Sequence, residues 1–196
     1  MNSLIAILGL AFLVLVHEAG HFYSARLVGM RPRKFYVGFP PAVAKVRRND
    51  IEYGVGAIPL GGYVKIPGMH RPAPSDVDAH FGRALAEAPQ LHAPTERLKR
   101  LLAEGDFDLA AGALVALERA AKETELSAGA RKGVERGLTE LSDGLGMDAY
   151  WRQGTWRKIF VIGAGPGTNL LFAILAFTLL LALGPGRGTT TVAEIE

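Results

Sequence analysis

Two long apolar stretches bracket a polar middle. Leu4–Val16 is apolar without a charge, and after a short polar interruption the apolar character resumes to Val28. Ile159–Leu183 contains no charged residue. Each run is long enough to cross a hydrocarbon core of about 30 Å, which takes a helix of ~20 residues. Phe35–Pro67 has the β-branched and aromatic content of strands. Val43-Ala44-Lys45-Val46 and Ile51-Glu52-Tyr53-Gly54-Val55 flank a hairpin turn at Arg48-Asn49-Asp50. A bend and a further strand follow over Ile58–Ile66, where Pro59, Gly61 and Gly62 favour an edge or a bulge over a central strand.

Residues 70–94 are rich in Pro, Ala and His and read as a linker with a helical turn or two. Residues 95–150 change to Ala, Leu, Glu and Arg at helical spacing. Leu98, Leu101 and Leu102 share one face, and Val134, Leu138 and Leu141 share another. Asp106 and Ser127 are natural N-caps, and Gly105 and Gly144 natural stops. Two or three amphipathic helices are therefore expected. Gly129, Gly133 and Gly137 recur every four residues, a spacing that lets two helices approach closely. The fold class is that of a mainly α membrane protein with a small membrane-associated β-sheet and a helical insert. The divisions fall at 1–28, 29–69, 70–94, 95–150, 151–184 and 185–196.

Composition agrees with separate oily and polar regions: 49% of the 196 residues are hydrophobic, yet 21% are charged. Cysteine is absent, which excludes disulfides and thiolate chemistry. A net charge of +3, without aromatics interleaving a basic stripe, gives no basis for nucleic-acid binding. Met1-Asn2-Ser3 lacks the basic residue of a signal-peptide n-region, so the first run is read as a retained membrane helix. Arg26, Arg31, Arg33, Lys34, Lys45, Arg47 and Arg48 follow it, and Arg152, Arg157 and Lys158 precede the second. The positive-inside rule then expects a multi-pass protein with residues 29–158 in the cytoplasm and the N-terminus outside.

His17-Glu18-Ala19-Gly20-His21 carries the candidate chemistry. On a helix, positions four apart project from one face, so both imidazoles can bind one Zn²⁺. Glu18 is then placed to accept a proton from water activated by the metal. Ionisable groups within a membrane helix cost about 2.5 kcal/mol or more, so they are hard to explain as packing. His70, His80 and His92 read as solvated loop residues, and Asp50 and Glu52 as turn or strand residues.

Three stretches, in order, resemble the site-2 protease family, the intramembrane zinc metalloproteases of regulated intramembrane proteolysis. They are His17–His21; Gly56–Met69, similar to the family's strand-forming loop near the active site; and Trp156–Ile162 leading into Gly165-Pro166-Gly167-Thr168-Asn169, similar to its Gly-Pro-x-x-Asn motif. The resemblance implies His17 and His21 as zinc ligands and Glu18 as catalytic base. It implies that Asn169 sits near the metal, holding substrate or stabilising the transition state. It also implies that Gly61, Gly62, Tyr63, Val64 and Lys65 offer an edge to an unwound substrate helix, for which main-chain pairing is a physically sensible grip. The substrates implied are transmembrane proteins, and the setting is a bacterial cell membrane.

The family's third zinc ligand is an aspartate in a later Leu-Asp-Gly-like motif, and none occurs after Asn169. Residues 185–196 are accordingly expected to begin an external, PDZ-like domain of a truncated chain that is inactive alone. The alternative is a non-catalytic membrane scaffold or metal-binding subunit, with the helical insert as the module for a protein partner.

Overall fold

The computed structural model describes residues 2–184, the side chains of residues 2–4 and 59–60 apart. The segment 185–196, expected to open an external domain, lies outside the described residues. Two long helices, α1 (Asn2–Leu27) and α6 (Thr155–Leu183), pack against each other and are the two spans long and apolar enough to cross a membrane. Their outward faces expose leucines and isoleucines along most of their length, as lipid-facing surfaces do. They cross at Gly20, where a Cβ would press on Thr168 Oγ1 and lie 2.6 Å from the Ala164 carbonyl oxygen. The Thr168 hydroxyl reaches the Val16 carbonyl at 3.1 Å, and Phe12 meets Phe172 edge-on one turn away.

A β-sheet follows, built from β1 (Lys34–Arg48) and β2 (Ile51–Lys65). Asn49 and Asp50 turn the hairpin with φ of 50° and 61°, the pair of positive values that a two-residue turn matched to strand twist requires. Ala42–Arg48 pairs with Ile51–Gly56. Both strands then bend, so that Lys34–Val37 lies between Glu52–Val55 on one side and Gly62–Lys65 on the other. Gly62–Lys65 is thus an edge, with no further strand beside it among the described residues. Tyr36 donates a 2.7 Å hydrogen bond to Glu52 across the sheet. That bond holds the Glu52 carboxyl below its ordinary range and, with burial and the carboxylate charge, pushes the Tyr36 phenol up to about 12.

The insert is a four-helix unit of α2 (Pro74–Glu87), α3 (His92–Glu104), α4 (Phe107–Lys122) and α5 (Ala128–Leu145). Its core includes Phe81, Leu91, Leu98, Leu117, Val134 and Leu141, each nearly inaccessible to solvent. Asp106 caps α4 by accepting from the Leu109 amide, Ser127 caps α5 by accepting from Ala130, and Gly105 closes α3 at φ 79°.

Two expectations need correction. Residues 70–94 are not a linker, because α2 occupies most of them and buries Val77, Phe81 and Ala84. Proline content misled there: Pro74 stands in the first helical turn, where a missing N–H costs nothing, and Asp76 reaches back to the Ala73 amide at 2.8 Å. Gly144 is not a stop, since α5 runs one residue further and Gly144 gives room to Pro72. The four-residue glycine spacing does bring two helices together. At Gly133 a Cβ would lie 2.8 Å from the His80 carbonyl oxygen, and at Gly137 2.6 Å from the His80 Cβ, so the partner is α2.

Candidate active site

Helix α1 presents His17, Glu18 and His21 toward α6 and the edge of β2. The two imidazoles stand edge-on with their Nε2 atoms 3.2 Å apart. Nitrogens bound tetrahedrally to one zinc at 2.0–2.1 Å would be about 3.3 Å apart, so the pair has ligand spacing. His21 Nδ1 lies 2.7 Å from the Val161 carbonyl of α6. A carbonyl can only accept, so Nδ1 carries the proton and Nε2 keeps its lone pair free for a metal.

His17 has a weaker counterpart. Asn169 Nδ2 is 3.5 Å from His17 Nδ1, while Asn169 Oδ1 is buried without a partner. Turning the amide over would place the oxygen where it accepts from Nδ1–H, giving His17 the same tautomer as His21. Gly165 completes the surroundings. A Cβ there would overlap His21 Nε2 and lie 2.7 Å from His17 Nε2, so only glycine leaves the two nitrogens room to converge. Two imidazole nitrogens at ligand spacing and a cradle that a single methyl would fill together fit a metal ion. Among the described residues no group of three His, Cys, Asp or Glu side chains comes together at metal-binding spacing.

Glu18 faces a cavity of about 520 Å³, as does His21. One wall is the edge Tyr63–Ile66, and the other comes from the insert, with Asp76, Glu140, Leu141 and Asp143. Gly62 packs directly on Glu18, since a Cβ there would lie 3.0 Å from Glu18 Cγ. Gly61 takes φ 96° and leaves space for the Phe39 ring. Tyr63 stacks on Tyr36 with centroids 5.1 Å apart, Val64 pairs with Phe35, and Lys65 reaches Asp143 at 2.9 Å. The residues implied as metal ligands, base and substrate contacts therefore lie on α1, on α6 or at this edge of β2.

The other histidines stay away from the pair. His70 is exposed, and His92 opens α3. His80, expected as a solvated loop residue, is instead on α2 and binds Glu140 of α5 at 3.0 Å. Sequence reasoning missed Gly165, the Val161 carbonyl and the α5 wall. Gly165 sat inside a motif already noticed, and its lack of a side chain was the available signal; the other two leave no trace in residue type.

A Chlamydia trachomatis protein named provisionally as a zinc metalloprotease is 30% identical over 180 residues, covering 92% of this chain and 20% of that protein. The zinc metalloprotease Rip1 of Mycobacterium tuberculosis is 48% identical over 67 residues, 33% of this chain and 17% of Rip1. The chloroplastic membrane metalloprotease ARASP of Arabidopsis thaliana is 47% identical over 62 residues, 32% of this chain and 14% of the relative. The chain thus spans about a fifth or less of the length of the curated relatives it matches. Peptidase family M50 matches residues 5–194, nearly the whole length. With its paired histidines on one membrane-length helix and Asn169 on the next, the chain belongs to peptidase family M50, the site-2 proteases.

Proposed function

We propose that this chain carries part of the active site of an intramembrane zinc metalloprotease, which hydrolyses peptide bonds within transmembrane segments of membrane-anchored proteins in regulated intramembrane proteolysis. His17 and His21 hold Zn²⁺ through Nε2, with a further protein ligand drawn from outside residues 2–184. Zinc, when bound, supplies Lewis-acid activation of water near neutral pH. Glu18 accepts the proton from that water and delivers it to the leaving amine. Asn169 steadies His17 at Nδ1 and lies close enough to the metal pair to assist in holding substrate.

The edge Gly62–Lys65 binds the substrate as an added strand. A peptide bond inside a helix is shielded by its own hydrogen bonds and must be extended before attack, and main-chain pairing holds it open. Gly62 lets the paired strand run past Glu18 without a side chain between them. The insert and the sheet face the cytoplasm, as the basic flanks Arg26–Arg33 and Arg152–Lys158 favour.

The observation that carries this reading is the convergence of two imidazole nitrogens, 3.2 Å apart, beside an open strand edge. Cleavage of a membrane-anchored reporter in liposomes, with zinc content measured alongside, tests it. Glu18→Gln is expected to keep zinc and lose cleavage by about 10²–10⁴-fold, the usual share of general acid–base catalysis. Cleavage unaffected by Glu18→Gln would refute Glu18 as the base, and bound zinc without cleavage by the wild type would leave a non-catalytic metal-binding protein.

A further inference from the structure

We propose that the helical insert is part of the catalytic unit, and that Asp143 is a positioning residue aligning the substrate-pairing edge with Glu18. The inference rests on the reading that Gly62–Lys65 pairs with substrate.

Asp143 lies near the end of α5, only 7% exposed, and binds two cations from the sheet. Its Oδ1 accepts from Arg33 Nε at 2.7 Å, and its Oδ2 forms an ion pair with Lys65 Nζ at 2.9 Å, without hydrogen-bond geometry. Those cations are neighbours across the sheet, since the Arg33 amide donates to the Lys65 carbonyl at 2.7 Å. Asp148 holds Arg33 from a second side at 3.0 Å. The chain after Lys65 is stitched to the same region: the Tyr150 amide donates to Pro67 and the Trp151 amide to Gly68, at 2.9 and 3.0 Å. A buried carboxylate tolerates its desolvation when paired and hydrogen-bonded in this way, and its cations are correspondingly fixed.

The consequence reaches the catalytic base. Lys65 and Gly62 are three residues apart, about 10 Å along an extended strand. Gly62 touches Glu18, and Lys65 is held by α5. With a strand neighbour on one side only, the edge takes its placement from that neighbour and from its anchored end. Glu140, Leu141 and Gly144 of the same helix face Tyr63–Ile66 across the cavity. Helix α5 therefore both anchors the edge and forms the opposite wall of the groove in which an extended substrate would lie.

The test uses the whole gene product, zinc-loaded, in lipid nanodiscs. Lys65→Met removes the edge anchor but leaves Arg33 bound to Asp143 and Asp148, so the insert stays docked. Asp143→Asn removes the carboxylate charge from both ties. Amide hydrogen exchange over Val64–Ile66 is expected to rise about fivefold in each variant, the loss of one partly exposed ion pair, with Glu52–Val55 unchanged. In Lys65→Met, kcat/KM for a transmembrane reporter is expected to fall about fivefold by the same measure, at unaltered melting temperature and zinc content, and Lys65→Arg is expected to retain activity. Should Asp143→Asn fail to fold, Lys65→Met decides alone. Exchange and kcat/KM within twofold of wild type in Lys65→Met overturn the proposal. A wild-type protein that cleaves nothing removes the protease reading, while the exchange measurement still decides whether α5 fixes the edge.

Discussion

Gly165→Ala puts the smallest possible side chain where His17 and His21 converge. The added carbon would overlap His21 Nε2 and stand 2.7 Å from His17 Nε2. Ordinary van der Waals contact begins near 3.4 Å, so the His17 nitrogen must retreat by about 0.7 Å, and His21 by more. Metal–ligand distances tolerate only about ±0.2 Å. The rings cannot yield freely either, because His21 is tied to Val161 at 2.7 Å and turning away breaks that bond. Mutations that disturb ligand orientation cost about 10–100-fold in metal affinity, roughly 1.4–2.7 kcal/mol, and direct overlap belongs at the upper end. The assay is zinc titration against a chromophoric chelator in detergent. Gly163→Ala is the control, one helical position pair away with nothing within 4 Å of the new carbon. It should leave zinc binding intact and, by helix propensity, stabilise α6 by up to about 1 kcal/mol. Equal zinc affinity in wild type and Gly165→Ala would refute the assignment of the two imidazoles to one metal.

Phe81→Ala empties a fully buried position on α2 and should destabilise the insert by about 3–5 kcal/mol, read by denaturant unfolding; a negligible loss would return residues 70–94 to a linker. Gly137→Ala drives a carbon to within 2.6 Å of the His80 Cβ and should cost about 1–3 kcal/mol, whereas Gly82→Ala, which meets nothing within 4 Å, should not destabilise. Tyr36→Phe removes the hydrogen bond that depresses Glu52. The stability it contributes through that carboxylate is present above the unfolded carboxylate pKa of about 4.3 and is lost as pH falls through the lower folded value, so melting temperatures of wild type and variant should converge in acid. At the alkaline end the Tyr36 phenol, raised to about 12, favours the folded state below the unfolded value near 10 and loses that contribution as pH rises through the folded one. A phenolate absorbance step near 12 that disappears in Tyr36→Phe checks the assignment.

Local pattern determined much of this protein by itself. The two membrane-length helices follow from long apolar runs, the hairpin turn from Asn49-Asp50, and the helices α3 to α5 from their caps and leucine spacing. The convergence of His17 and His21 follows from helix geometry, because four residues return to the same face whatever the rest of the chain does. Helix α2 was less legible, since its prolines and histidines resemble a linker until Phe81 and Val77 find the core that α5 supplies. The remainder belonged to tertiary structure alone. The Val161 carbonyl that orients His21 is 140 positions away, and Asp143, which binds Arg33 beside the sheet, is 110 away from it. A carbonyl oxygen is common to every residue, and one buried carboxylate reads in sequence like any surface acid on an amphipathic helix. Only the packing of α6 on α1, and of the insert on the sheet, brings those ordinary groups to the two imidazoles and to the strand beside them.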